Sequence, residues 1–125
     1  TFSLYEVKIL RKYAILKEPV DKIKKVMLYE YLSDEVYVFL YNSIDDVPCF
    51  ADYCFDTLEE AEEMCLEGYN ISKSGWINID NPTRHCQDDI ISPVRVKGRD
   101  LGKPQWGNFE KLVNGKWVEY KFYNK

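Results

Sequence analysis

The strongest constraint on the fold is a pair of apolar segments that stand almost next to each other, at residues 26–32 and 36–42. Both are rich in β-branched and aromatic side chains, which favour strands, and only Ser33, Asp34 and Glu35 separate them. We therefore predict a β-hairpin. Because both strands are apolar on both faces, we expect them at the centre of a sheet that is covered on two sides.

The segment before this hairpin is predicted to add a strand. Apolar residues recur there at every second position, with Arg11 as an interruption: Tyr5, Val7, Ile9, Tyr13 and Ile15. This spacing indicates a strand that ends before Pro19, and a helix carrying Leu4, Val7 and Leu10 is the alternative. A further strand is predicted over residues 49–55, beginning after Pro48.

Two more strand regions are predicted toward the C-terminus. Residues 109–113 and 116–122 flank Asn114-Gly115, a dipeptide typical of a type I′ hairpin turn in which both central residues take positive φ. Residues 90–97 form another candidate strand, and Pro93 places it at a sheet edge because proline cannot donate to a ladder.

One helix is predicted over residues 57–67. Thr57 and Glu60 match the capping box, and Gly68 matches a left-handed C-cap. At 100° per residue an apolar stripe forms on one side, made of Leu58, Ala61, Met64 and Cys65. The opposite side carries four carboxylates within an arc of about 100°: Glu59, Glu60, Glu63 and Glu67.

The carboxylates of this helix are the first candidate site. Glu59–Glu63 and Glu63–Glu67 are like-charge pairs at i,i+4, and the helix has no Lys or Arg at helical spacing to relieve them. We expect this face to dock a basic partner, aided by Asp45 and Asp46 if their loop lies nearby. The alternative is a solvated face, or one neutralised by the basic flanks of the chain.

Together these elements predict an α+β fold. It consists of an antiparallel β-meander with one short acidic helix packed on the sheet, a loop-rich segment and a C-terminal β-hairpin. Residues 1–67 contain no glycine, whereas residues 68–108 contain five of the six, so the loops belong to the second half. At 125 residues and without a linker, we expect a single domain, residues 1–125.

The charge is unevenly distributed along the chain. Residues 30–90 carry two Lys or Arg against fifteen Asp or Glu, a net −13, between flanks of +4 and +5. This asymmetry favours a basic protein partner and makes nucleic acid an unlikely one. The longest apolar run, residues 36–41, is far shorter than the roughly 18 residues that a membrane helix needs, so no membrane partner is expected.

Arg84, His85, Cys86 and the residues after them form a second candidate site. His85 is the only histidine, so a small enzyme that depends on histidine would have to use this loop. Neighbouring side chains of an extended chain point apart, however, and the structural alternative is a turn whose side chains cap local backbone. We expect no enzymatic activity here.

The four cysteines do not match a metal site. They stand at positions 49, 54, 65 and 86, without a paired C-x-x-C motif, so neither a metal nor a cofactor is expected. Free thiols favour a reducing compartment, and we expect a cytoplasmic protein. Since the sequence starts at Thr1, prior removal of a signal peptide stays an open alternative.

A third candidate site is basic. Arg95, Lys97 and Arg99 are expected on one strand face, with Lys103 and Trp106 behind them, a composition found in single-strand nucleic-acid grooves. Cations on an edge strand also block aggregation, which is the structural alternative.

The arrangement of the whole chain resembles the small bacterial immunity proteins of polymorphic toxin systems. The likeness lies in the meander, the acidic helix and the loop-rich segment with residues 75–80 (GWINID) and 91–99 (ISPVRVKGR). It implies a non-enzymatic protein that neutralises a cognate basic toxin, for example a nuclease, through an acidic surface. It assigns no individual residue, and the oligomeric state is left open.

Overall fold

A computed structural model describes residues 10–32 and 34–122. They form an α+β fold with one α-helix and antiparallel β-strands, as predicted. The elements in chain order are β1 (Leu10–Val20), β2 (Ile23–Leu32), β3 (Glu35–Tyr41), β4 (Ala51–Phe55), α1 (Leu58–Tyr69), β5 (Ile77–Ile79), β6 (Val94–Val96), β7 (Phe109–Val113) and β8 (Lys116–Tyr120). The chain divides into two compact units, one up to Asn81 and one from Pro82 onward.

The first unit contains a five-stranded antiparallel sheet in the order β4-β3-β2-β1-β5. The predicted central hairpin is confirmed, because β2 and β3 pair with each other and have a further strand on each side. The strand predicted over residues 49–55 is confirmed over Ala51–Phe55. β5 was not predicted, since its three residues carry no periodic pattern.

β1 continues through Pro19 to Val20, so the prediction that this strand ends before Pro19 is wrong. Its pairing with β2 jumps from Ile15–Lys25 to Val20–Ile23, which leaves a bulge on the β1 side. A proline is tolerated there because bulged residues do not contribute to the regular ladder. Tyr5, Val7 and Ile9, and most of the alternative helix, lie outside the described residues.

One face of this sheet forms the hydrophobic core with α1. Buried residues of the strands and the helix pack together there, at 0% to 7% exposure: Ala14, Leu16, Ile23, Val26, Leu28, Val36, Val38, Leu40, Ala61, Cys65 and Ile71. The apolar stripe predicted for the helix is confirmed, since Ala61 and Cys65 are buried and Leu58 and Met64 pack against the same core.

The opposite face of the sheet is also buried but contains polar groups. Arg11 and Lys25 are 2% and 1% exposed, and the Arg11 Nε donates to the Asp80 carbonyl at 2.8 Å. Met27 and Tyr41 are fully buried beside them. Arg11 therefore does not interrupt β1. It is part of a buried face on which its hydrogen bonds offset the cost of desolvation.

α1 begins as predicted and ends later than predicted. The Thr57 hydroxyl accepts from the Glu60 amide at 3.1 Å, which confirms the N-cap. Gly68 lies inside the helix, and Asn70 takes the left-handed conformation at φ 59°, so the prediction of a Gly68 cap is wrong. Asparagine is one of the few residues that adopt this conformation readily, and the Ile71 amide closes the end by donating to the Cys65 carbonyl at 3.2 Å.

The second unit contains a three-stranded sheet in the order β6-β7-β8. The C-terminal hairpin is confirmed, with Asn114 at φ 50° and Gly115 at φ 80° as a type I′ turn requires. The strand predicted over residues 90–97 is an edge strand, but it is limited to Val94–Val96. Pro93 has no amide hydrogen to donate, and the ladder begins where its carbonyl accepts from the Leu112 amide.

Candidate functional site

The acidic helix face, which we define as Glu59, Glu60, Glu63 and Glu67, is on the outer side of α1. All four side chains are exposed. Their position follows from the packing of the helix, because Ala61 and Cys65 are buried against the sheet and residues out of phase with them must point away.

Intramolecular cations do not neutralise this face among the residues that the structure describes. The one salt bridge of the helix joins Lys12 to Glu62, which lies at the edge of the face, with side-chain exposures of 12% and 15%. The Lys12 ammonium also lies 5.4 Å from the centroid of the Trp76 ring. Lys12 is therefore engaged with Glu62 and Trp76, and the last turn of the helix contains no basic residue.

A groove of about 260 Å³ runs along the same side of α1 and brings apolar side chains next to the carboxylates. Its walls are formed by residues of the helix and of the segment that follows it: Glu59, Glu62, Glu63, Leu66, Ile71, Lys73 and Trp76. We call it the acidic groove. Two carboxylates along its walls, those of Glu59 and Glu63, form no salt bridge among the described residues, against the one ammonium group of Lys73. A cation attached to an apolar side chain therefore fits the groove.

Helical spacing predicts Glu59 and Glu63 at this site but does not predict the apolar part of the groove. One signal was available in the sequence, because Leu66 lies outside the apolar stripe of the helix, and the structure leaves it 49% exposed. Ile71 and Trp76 reach the groove only through the tertiary fold, since they follow the helix in a segment without periodicity.

Asp45 and Asp46 are in the loop after β3 and are not among the residues that line the acidic groove. The Asp45 carbonyl accepts from the Lys25 ammonium at 2.8 Å, and Lys25 belongs to the buried face opposite α1. Burial lowers the pKa of Lys25 below its ordinary value, while the carboxylates of Asp46 and Asp45 act in the opposite direction. The negative charges of Asp45 and Asp46 thus stabilise Lys25, a buried cation of the same chain.

His85 and Cys86 are in different environments. His85 is exposed with φ 67°, whereas Cys86 is only 6% exposed. The Cys86 amide donates to the Thr83 carbonyl at 3.0 Å, so the segment is a tight turn. A cysteine nucleophile needs access to substrate and a base within hydrogen-bond reach, and burial of the thiol opposes the first of these.

None of the four cysteines is in a disulfide. Cys65 is fully buried, and burial raises the pKa of its thiol to about 12, with a smaller contribution from the Glu62 carboxylate. Such a thiol is inert at neutral pH. Within residues 10–32 and 34–122, no three His, Cys, Asp or Glu side chains are grouped in a way that could hold a metal ion.

The prediction of three cations on one strand face is wrong, because β6 ends at Val96 before Lys97 and Arg99. Arg95 is bound within its own unit. Its guanidinium donates to Glu110 at 2.8 Å, lies 3.5 Å from Asp100, and stacks 3.8 Å from the centroid of the Trp117 ring. It is therefore a structural residue of the second unit.

Comparison with protein families, with curated proteins and with solved structures finds no match to this chain. The described part of the chain contains no helix with the length and hydropathy needed to span a bilayer. The class that the fold defines is thus an α+β protein.

Proposed function

We propose that this chain is a non-enzymatic protein-binding module whose acidic helix face and acidic groove bind a basic protein partner. An immunity-type protein that neutralises a basic toxin, for example a nuclease, is the form of this function that we favour. The observation that carries the proposal is the set of four exposed carboxylates without a salt bridge in the described structure, beside a groove with apolar walls.

The energetics of the helix support this proposal. Like charges at i,i+4 each cost about 0.2–0.5 kcal/mol, and Glu67 opposes the macrodipole at the C-terminal end of the helix. A basic partner relieves both terms when it binds. The exposed Leu66 and the Trp76 ring supply the apolar contact that charge alone does not, since binding energy concentrates in desolvated apolar and aromatic groups.

Neither alternative function is proposed. Burial of Cys86 opposes an enzyme at His85 and Cys86, and the ion pairs of Arg95 remove the central cation of the nucleic-acid hypothesis. An immunity role implies a cytoplasmic protein that meets its toxin there, and four cysteines without a disulfide are compatible with a reducing compartment.

The test passes a lysate of the source organism over the immobilised chain and over an immobilised Glu59→Lys/Glu63→Lys variant. The association rate is then measured for each protein that binds the unmodified chain and not the variant. We expect a basic protein whose association rate falls steeply as salt is raised to about 0.5 M. Lys17→Glu is the matched control, because it changes an exposed charge outside the groove. A partner that binds both baits equally, or an association rate that is flat with salt, would contradict the proposal.

A further inference from the structure

The second unit carries an exposed loop with the opposite chemistry to the acidic groove. We define the tryptophan loop as residues 97–108. Leu101 is 76% exposed and Trp106 is 74% exposed, the two highest values among large apolar side chains of the described residues. Lys97, Arg99 and Lys103 are exposed in the same loop. A loop that combines exposed large apolar side chains with cations is typical of a binding surface.

The tryptophan loop is held in one conformation by its own backbone. The Lys97 amide donates to the Asn108 carbonyl at 2.8 Å, the Gln105 amide to the Lys97 carbonyl at 2.8 Å, and the Lys103 amide to the Gly98 carbonyl at 3.0 Å. A loop that is already ordered loses little conformational entropy when it binds. The backbone that carries the exposed Trp106 is thus ordered before binding.

Gly98 makes this conformation possible. Its φ is +81°, and a Cβ at this position would lie 2.3 Å from the Lys103 carbonyl oxygen. Only glycine allows the backbone at residue 98 to approach the backbone at residue 103 so closely. The conformation of the loop therefore requires glycine at position 98.

The acidic groove has the properties that this loop requires. Glu59 and Glu63 line it together with Leu66, Ile71 and Trp76, so cations and an apolar anchor are both accommodated. Its volume of about 260 Å³ is below the 300–1,000 Å³ of typical pockets for drug-sized ligands. The groove therefore suits a protruding side chain.

We propose that the tryptophan loop of one copy of this chain docks into the acidic groove of a second copy, with Trp106 as the anchor and Lys103 facing Glu63. The two surfaces are different parts of the chain, so the contact is either made once and repeated into a ring or an open chain, or made twice in a two-fold symmetric dimer. The contact involves one loop and one small groove, and we expect dissociation constants above about 1 μM. The inference does not depend on the proposed function, although Glu63 belongs to both surfaces.

Sedimentation velocity on the full chain tests this, from about 5 μM to about 1 mM protein, at low salt and at about 0.5 M salt. At low salt we expect the sedimentation coefficient to rise with concentration. At high salt it should approach that of a monomer, because the pairing depends on exposed charges. Monomeric sedimentation at every concentration and salt would overturn the proposal and leave the loop to a different partner.

Substitutions identify the surfaces. Trp106→Ala, Lys103→Glu and Glu63→Lys should each weaken self-association by at least about tenfold, and the combined variant K103E/E63K should restore it. Glu67→Lys and Val113→Ala are the matched controls, since Glu67 is outside the groove and Val113 is an exposed apolar residue outside the loop. Self-association that survives the three single substitutions, or that the charge exchange does not restore, would overturn the proposal.

A mixture of two variants tests whether the loop of one copy enters the groove of another. Trp106→Ala keeps an intact groove and Glu63→Lys keeps an intact loop, so an equimolar mixture should form a dimer and nothing larger. Circular dichroism confirms that each variant is folded. A mixture that sediments as two separate monomers at concentrations where the unmodified chain associates would overturn the proposed contact.

Discussion

Gly98 is the residue at which backbone geometry most limits what the chain tolerates. Gly98→Ala places a methyl group against the Lys103 carbonyl and forces a side chain into positive φ. We expect it to lower the free energy of unfolding by about 2–4 kcal/mol, measured by chemical denaturation. Gly102→Ala is the control. Its φ is +75° with no atom within 4 Å of the new Cβ, so it should cost only about 1 kcal/mol. Equal costs would show that the close approach is unimportant.

Lys12 is engaged with Glu62 and Trp76, and the side chains of the ion pair are mostly buried. Lys12→Met removes the cation and leaves the Glu62 carboxylate, only 15% exposed, without its partner. We expect a loss of about 1–3 kcal/mol in the free energy of unfolding, because an unpaired charge is expensive to bury. Lys17→Met, at an exposed position of the same strand, should change it by less than about 0.5 kcal/mol. Similar effects at the two positions would contradict the importance of the pair.

The thiol of Cys65 makes the free energy of unfolding depend on pH in the alkaline range. Its thiol has an ordinary pKa of 9.0 and a pKa of about 12 in the folded protein, so above pH 9 only the unfolded chain releases the proton. The stability that this group contributes is complete below pH 9 and decreases as the pH rises from 9 toward 12. Between pH 8 and pH 10 the loss should be about 1.4 kcal/mol.

Cys65→Ala isolates this contribution from the titration of other groups. The variant is less stable overall because it leaves a cavity. Its free energy of unfolding should nevertheless fall by about 1.4 kcal/mol less than that of the unmodified protein over the same pH interval. Parallel pH profiles for the two proteins would show that the thiol does not titrate on unfolding.

At the scale of the element, α1 retains charges that reduce its stability. Glu67→Lys removes the repulsion from Glu63 and places a cation at the C-terminal end of the helix, so it should raise the free energy of unfolding by about 0.5–1 kcal/mol. Glu59→Lys also removes a repulsion from Glu63 but places a cation at the N-terminal end, so the two effects oppose each other and should change the free energy of unfolding by less than about 0.5 kcal/mol. Denaturation curves of both variants check this difference. A helix that responds equally to both would indicate that the acidic helix face is already neutralised.

The sequence alone is sufficient to predict those elements whose local pattern agrees with their place in the tertiary structure. The central hairpin, the start of α1 and the Asn114-Gly115 turn are of this kind, because apolar periodicity, capping and turn chemistry act within a few residues. The end of α1 was mispredicted since two residues, Gly68 and Asn70, are both suited to a left-handed cap. β5 forms only because Arg11–Tyr13 of β1 offer it a partner, which no local pattern shows.

The candidate site was predictable only in part for the same reason. The carboxylates of the helix follow from helical spacing, and they are exposed as that spacing requires. Trp76 and Ile71 join them through the chain reversal at Asn70, and Arg95 is neutralised by Glu110 across the ladder between β6 and β7. Contacts of that kind depend on register and tertiary packing, which composition does not specify.

At the scale of the whole molecule, protection against hydrogen exchange should be graded across the strands. Val26, Leu28, Val36 and Val38 are fully buried at the centre of the five-stranded sheet, so amides of β2 and β3 should exchange slowest. β5 and β6 are three-residue edge strands and should exchange fastest among the strands. Exchange measured by mass spectrometry checks this order, and equal protection of β5 and β2 would contradict it.

The rigid tryptophan loop also has an evolutionary consequence. Its conformation depends on backbone hydrogen bonds and on Gly98, whereas the side chains of Leu101 and Trp106 extend away from the fold with more than 70% of their surface exposed. Mutations at these two positions can therefore change the contacts of the loop without unfolding the protein. Related chains should hold Gly98 fixed, while residues 101 and 106 diversify together with the groove that receives them.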